Sequence, residues 1–129
     1  APDLLPPAGI PTRAAPGPRH HADALLGEAT VAEMGLADSG QACIIRAGRV
    51  IAREGAAGTD VMVQAAAEGL LFKAPKPSQD RRADLPVVGP GTARAVVRAG
   101  LDGIVIEAGG VMVLDLPEVV ALLDRAGRF

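Results

Sequence analysis

Gln41–Glu54 reads QACIIR-AG-RVIARE, two β-rich runs separated by a single Ala47-Gly48 pair. Gln41 to Arg46 and Arg49 to Glu54 are each too short for a stable helix, and an X-Gly pair between them closes a two-residue turn. Together they predict a β-hairpin. Upstream, Ala22, Leu25, Leu26, Ala29, Glu33 and Leu36 follow helical spacing from about Arg19, apolar except at Glu33. Downstream, Thr59 or Asp60 is placed to cap a helix over roughly Val61 to Glu68, which Gly69 stops. Leu70 to Lys73 then reads as a buried strand.

The remaining elements continue the mixture. Gly89-Pro90-Gly91-Thr92 opens a helix that runs through Ala99 to Gly100, Gly103 to Glu107 is an apolar strand with a glutamate at its tip, and Val111 to Leu114 is another strand. A last helix near Pro117 to Ala126 carries the stripe Val119, Leu122, Leu123 and Ala126, with Pro117 suited to its first turn. The predicted order is α-β-β-α-β-α-β-β-α: a mixed α/β (α+β) fold in one compact domain, a short mixed sheet flanked by helices.

Pro2 to Pro18 holds six prolines, too many for a regular element and suited to an extended arm. The expected division is an arm over residues 1–18 and a folded domain over 19–129. The chain opens on proline-rich sequence without Met, which reads as a piece cut at a linker.

With 129 residues the chain is long enough to bury one core without disulfides or a structural metal. It is 49% hydrophobic with no Trp or Tyr and only Phe72 and Phe129 as aromatics, so aliphatic side chains fill that core and base-stacking platforms are disfavoured. A net charge of -2 provides no global positive field for nucleic acid or an anionic membrane. Cys43 sits alone in the apolar run Ala42-Cys43-Ile44-Ile45, which fits a buried thiol in a reducing compartment. Without a membrane-length apolar run or signal peptide, the expected location is cytoplasmic.

Charge is gathered instead in Lys73–Pro86, KAPKPSQDRRADLP. Lys73, Lys76, Arg81 and Arg82 stand there with Asp80 and Asp84 among three prolines that forbid a helix. Cations of this kind meet phosphate oxygens, while a carboxylate holds a metal ion or a water. The alternative is a solvated loop with incidental ion pairs. Three acids fall where elements begin or end: Asp60, Asp84 and Glu107. Mg²⁺ needs one or two carboxylates plus waters and substrate oxygens, so Asp84 with Asp60 or Glu107 would suffice. Asp60 also reads equally as a helix cap, and Glu107 as an ion-pair partner of an arginine. Gly55–Asp60 leads small residues into a helix start but lacks the lysine and spacing of a P-loop. His20 and His21 are adjacent, point to different helical faces and are expected at the surface. Ser39 and Ser78 have no serine-hydrolase context.

Three blocks in order, Gln41–Asp60 (QACIIRAGRVIAREGAAGTD), Lys73–Pro86 and Ile106–Asp115 (IEAGGVMVLD), resemble the carboxy-terminal domain of the two-domain, metal-dependent bacterial UDP-2,3-diacylglucosamine pyrophosphatases of the LpxI type. The LLPPAGIPTRAAP arm looks like that family's interdomain connection. The resemblance implies hydrolysis of UDP-2,3-diacylglucosamine to UMP and 2,3-diacylglucosamine 1-phosphate (lipid X) in lipid A biosynthesis, with Mg²⁺ assisting. The family's essential aspartate lies in the block Arg82-Ala83-Asp84-Leu85-Pro86, so Asp84 is the expected catalytic residue. The blocks Gly58-Thr59-Asp60 and Lys76-Pro77-Ser78-Gln79 carry over as substrate or metal contacts. With the reading of the charged loop and element ends, the expected substrate contacts are Thr59, Lys73, Lys76, Gln79 and Arg82 and the expected metal ligands Asp84, Asp60 and Glu107. The stretch between Gln64 and Leu70 is shorter than the family's. The implied partners are the substrate and an amino-terminal domain, with a homodimer and a peripheral inner-membrane contact also expected, and no nucleic acid. The rival readings are a non-catalytic sugar-nucleotide or phosphate-binding module and an interaction domain docking through its arm.

Overall fold

A computed structural model describes residues 6, 8–36, 41–55, 58–64, 66, 68–75 and 86–129, with the side chains of Gly35, Leu36 and Asp60 outside that set. The described elements are α1 (Pro18–Leu36), β1 (Ala42–Arg46), β2 (Arg49–Arg53), α2 (Thr59–Gln64), β3 (Leu70–Lys73), β4 (Val87–Val88), α3 (Pro90–Ala99), β5 (Gly103–Ile106), β6 (Met112–Val113) and α4 (Leu116–Arg125). The mixed α/β class stands. The predicted order lacked β4, a two-residue strand that exists only because β6 lies parallel beside it.

The main sheet has the order β2-β1-β3-β5. The hairpin β1–β2 is antiparallel, β3 runs antiparallel to β1, and β5 runs parallel to β3 with Lys73 opposite Ile106. The hairpin turn is as predicted, with Ala47 at φ 50° and Gly48 at φ 78°. Both values are positive, which matches the right-handed twist of the flanking strands.

Both sheet faces are covered, so β1 and β3 are apolar almost throughout rather than alternating. Ala42, Ile44 and Leu71 face Val63 of α2, Ala93 and Val96 of α3 and Val119 and Leu123 of α4. Cys43, Ile45, Leu70 and Phe72 face Val31 and Met34 of α1 and Phe129. Helices therefore sandwich the sheet. The Cys43 thiol is buried as expected, and desolvation, partly offset by Arg53, pushes it up to about 12.

α1 turns a different face inward from the predicted stripe. Leu25 is exposed, as are Ala22, Ala29 and Glu33, and the buried positions are Asp23, Gly27, Thr30, Val31 and Met34. Two contacts set this register. The Asp23 carboxylate accepts the N–H groups of Ala47 (3.0 Å) and Gly48 (2.8 Å), tying the hairpin turn to the helix. At Gly27 a side chain is excluded, because a Cβ would lie 2.8 Å from Phe72 Cβ. The helix meets the sheet through small and polar residues that a hydrophobic pattern does not register.

α2 is shorter than predicted and stops at Gln64, closed by the Ala66 N–H donating to Val63 O. α3 ends as predicted, with Gly100 in the left-handed conformation and its N–H bonded to the last turn.

Candidate active site

The carboxyl ends of the parallel strands β3 and β5 lie side by side, where the Glu107 N–H donates to Lys73 O (3.1 Å). Chain segments leaving parallel strand ends are where α/β folds build sites. Antiparallel pairing brings the start of β1 and the end of β2 to the same edge. The Ala74 N–H donates to Gln41 O, and the Glu54 N–H donates to Ala42 O.

Lys73 is the centre of this edge. Its residue is buried, and its Nζ donates to the Val87 carbonyl (2.9 Å) and to Thr59 Oγ1 (3.3 Å). A buried ammonium is strongly disfavoured without such partners. Val87 lies just after Pro86, so the residue that follows the charged segment is fixed beside this ammonium. Thr59 opens α2, but its hydroxyl does not cap the helix as predicted: it donates to Glu54 Oε2, while Glu54 Oε1 accepts the Gln41 N–H (2.7 Å).

Glu107 follows β5 directly, and its carbonyl accepts the Gly110 N–H in a tight turn. Its Oε2 is shut off from solvent and lies against Gly110, where a Cβ would also stand 2.8 Å from Pro75. Gly110 is therefore the residue that lets the Glu107 carboxylate tuck under the start of the charged segment.

Of the sequence-derived site residues, Thr59, Lys73 and Glu107 are brought together at one strand edge. Lys76, Gln79, Arg82 and Asp84 lie outside the described residues, as does the side chain of Asp60, whose backbone follows Thr59 in α2. Among the described residues no three His, Cys, Asp or Glu side chains gather as a metal-binding group. Sequence reasoning missed Glu54. The one signal was an acid closing β2, five residues before Thr59.

Next to this polar edge opens an apolar cavity of about 690 Å³. Val88, Val105, Ile106 and Ala108 line it at the strand end, with Leu116, Val120 and Leu123 of α4 and Phe129 deeper. The proline-rich arm forms another wall through Ile10, Pro11 and Thr12. The arm is held by the Arg13 N–H, which donates to Asp124 Oδ1 (2.9 Å).

His20 corrects an expectation. It is not a surface residue: its Nδ1 accepts the Gly17 N–H (3.0 Å), its Nε2 lies 3.0 Å from Asp102 Oδ2, and the ring packs edge-on against Phe129. Since Nδ1 accepts, the proton of the neutral ring sits on Nε2 and is donated to Asp102. With both nitrogens engaged, His20 fastens the start of α1 to the sheet. His21 is exposed as predicted.

The sequence of residues 7–129 matches the model of the LpxI C-terminal domain. The chain belongs to that family. It is 38% identical over 136 residues to the UDP-2,3-diacylglucosamine pyrophosphatase LpxI of Caulobacter vibrioides, an alignment covering 95% of this chain and 49% of that protein. The chain thus spans about half the length of this curated relative.

Proposed function

We propose that this domain belongs to a UDP-2,3-diacylglucosamine pyrophosphatase, which splits its substrate into UMP and 2,3-diacylglucosamine 1-phosphate in lipid A biosynthesis. The observation that carries this reading is the Lys73–Thr59 pair at the end of β3, with Lys73 opposite Ile106, which lines an apolar cavity. Lys73 donates to a phosphoryl oxygen on the sugar side of the diphosphate, Thr59 supports the substrate contact by holding that ammonium, and an acyl chain enters between β5, α4 and the arm. Pyrophosphate hydrolysis depends mainly on positioning and on neutralising charge as the leaving phosphate departs, and a buried cation on a strand end supplies both.

Asp84 is the proposed catalytic residue, orienting the attacking water, with Lys76, Gln79 and Arg82 completing the phosphate contacts from the same segment. Support comes from the flanks: Lys73 Nζ donates to the Val87 carbonyl on one side of that segment, and Pro75 on the other side lies against Gly110 and Glu107. Hard carboxylate oxygens suit Mg²⁺, and Asp84 with Asp60 or Glu107 would hold it; when bound, it would neutralise charge on the diphosphate oxygens. Glu107 fits that part by its placement at the end of β5 beside Pro75.

The wider reading is a cytoplasmic enzyme that meets its lipid at the inner membrane, closes around it with an amino-terminal domain and works as a homodimer. No helix among the described residues is long and apolar enough to cross a membrane. Incubating the parent protein with UDP-2,3-diacylglucosamine and Mg²⁺ tests the proposal. UMP release is expected, and Asp84→Ala should lower turnover by on the order of 10³-fold with unchanged folding. Binding without UMP release would replace the enzyme with a binding module.

A further inference from the structure

Glu54 is the acid at this edge that no motif assigns, and both its carboxylate oxygens are committed within the protein. Oε1 accepts the Gln41 N–H (2.7 Å) and Oε2 accepts the Thr59 hydroxyl. Thr59 Oγ1 in turn accepts a hydrogen bond from the Lys73 ammonium (3.3 Å). We infer that Glu54 is a positioning residue: by accepting the Thr59 hydroxyl's hydrogen bond it turns the hydroxyl's lone pair toward Lys73 and so fixes the ammonium at the end of β3. This rests on the pyrophosphatase reading for its catalytic consequence, though not for its geometry.

The donor and acceptor count makes the role specific to a carboxylate. A hydroxyl has one proton and two lone pairs, and an ammonium has only donors. If the Thr59 proton pointed at Lys73, two donors would face each other. Glu54 prevents this, because an ionised carboxylate can only accept. A glutamine in its place has one oxygen for two donors, Gln41 N–H and Thr59 O–H. Whichever donor the oxygen takes, the amide NH₂ confronts the other. The backbone N–H cannot turn, so the NH₂ goes to Thr59, and the hydroxyl proton, no longer held by a carboxylate, no longer fixes a lone pair toward Lys73. Glu54→Gln thus preserves shape and reverses one hydrogen-bond direction.

The test combines turnover with a probe of Lys73 itself, both in the full-length parent protein. Glu54→Gln should lower kcat for UMP release by about tenfold to a hundredfold, as loss of a supporting partner does, with KM within about threefold. Because Glu54 acts through the hydroxyl, Glu54→Gln combined with Thr59→Val should be no slower than Thr59→Val alone, whereas Thr59→Ser should keep most activity. Independently, NMR relaxation on ¹³C-labelled lysine should show a rigid Lys73 Cε in the wild type that loosens in Glu54→Gln and in Thr59→Val alike. Losses that multiply in the double variant, or a Lys73 Cε equally rigid in Glu54→Gln, overturn the inference. A wild type that releases no UMP counts against the pyrophosphatase reading alone, and the relaxation measurement still decides the role of Glu54.

Discussion

Replacing Asp23 with alanine removes the acceptor for two backbone donors of the hairpin turn, Ala47 N–H at 3.0 Å and Gly48 N–H at 2.8 Å. A hydrogen bond to a charged group contributes about 1.5–3 kcal/mol where water is excluded. Asp23 is 3% exposed, but the turn residues are open to solvent, so water takes over part of the role. The net loss is therefore about 2 kcal/mol rather than the full sum. For a chain of this length, an unfolding entropy of about 2.1 cal/mol/K per residue converts that loss to a drop of about 7 °C in Tm. Thermal melting by circular dichroism, with a urea titration to check that m is unchanged, reads the effect directly. Asp23→Asn retains one acceptor oxygen and should lose about half as much. Faster amide exchange at Gly48 in both variants would accompany the change. An Asp23→Ala protein within about 0.5 kcal/mol of wild type would refute the claim that this carboxylate sets the docking of α1 on the hairpin.

The buried Cys43 thiol should resist alkylation in the native chain and react only on unfolding. Its folded value of about 12 lies above the unfolded 9.0, so its contribution to stability is complete below pH 9 and is lost as pH rises toward 12, at a limiting slope of about 1.4 kcal/mol per pH unit. Urea titrations above and below pH 9 check the sign. Ala24→Phe would thrust a ring into the apolar cavity, and under the proposed function it should weaken binding of long-chain substrates to the parent protein by about tenfold or more while short-chain analogues bind nearly as before. Competition binding with analogues of graded chain length tests this.

The parts of the fold legible in the sequence are those specified locally. The hairpin follows from Ala47-Gly48 between two β-rich runs, α3 from Pro90 and the Gly100 stop, and α4 from Pro117 and the Val119–Leu123 stripe. What escaped depends on distant partners. β4 pairs only with β6, and the inward face of α1 is fixed by a turn and a phenylalanine 24 and 45 residues further on. The site divides in the same way. Lys73 and Glu107 were legible from residue type and from their places at element ends, Thr59 through the family resemblance, and the three are brought to one strand edge. Their mutual bonding was not, because a hydroxyl expected as a helix cap is drawn instead to Glu54. His20 escaped for a related reason: its partners Asp102 and Phe129 lie at the far end of the chain.

A crystal structure of the parent protein with 2,3-diacylglucosamine 1-phosphate tests the central claim most directly. The account predicts a phosphate oxygen within hydrogen-bonding distance of Lys73 Nζ and an acyl chain between Ile106 and Leu123. A phosphate bound away from the carboxyl ends of β3 and β5, with the cavity empty, would contradict it.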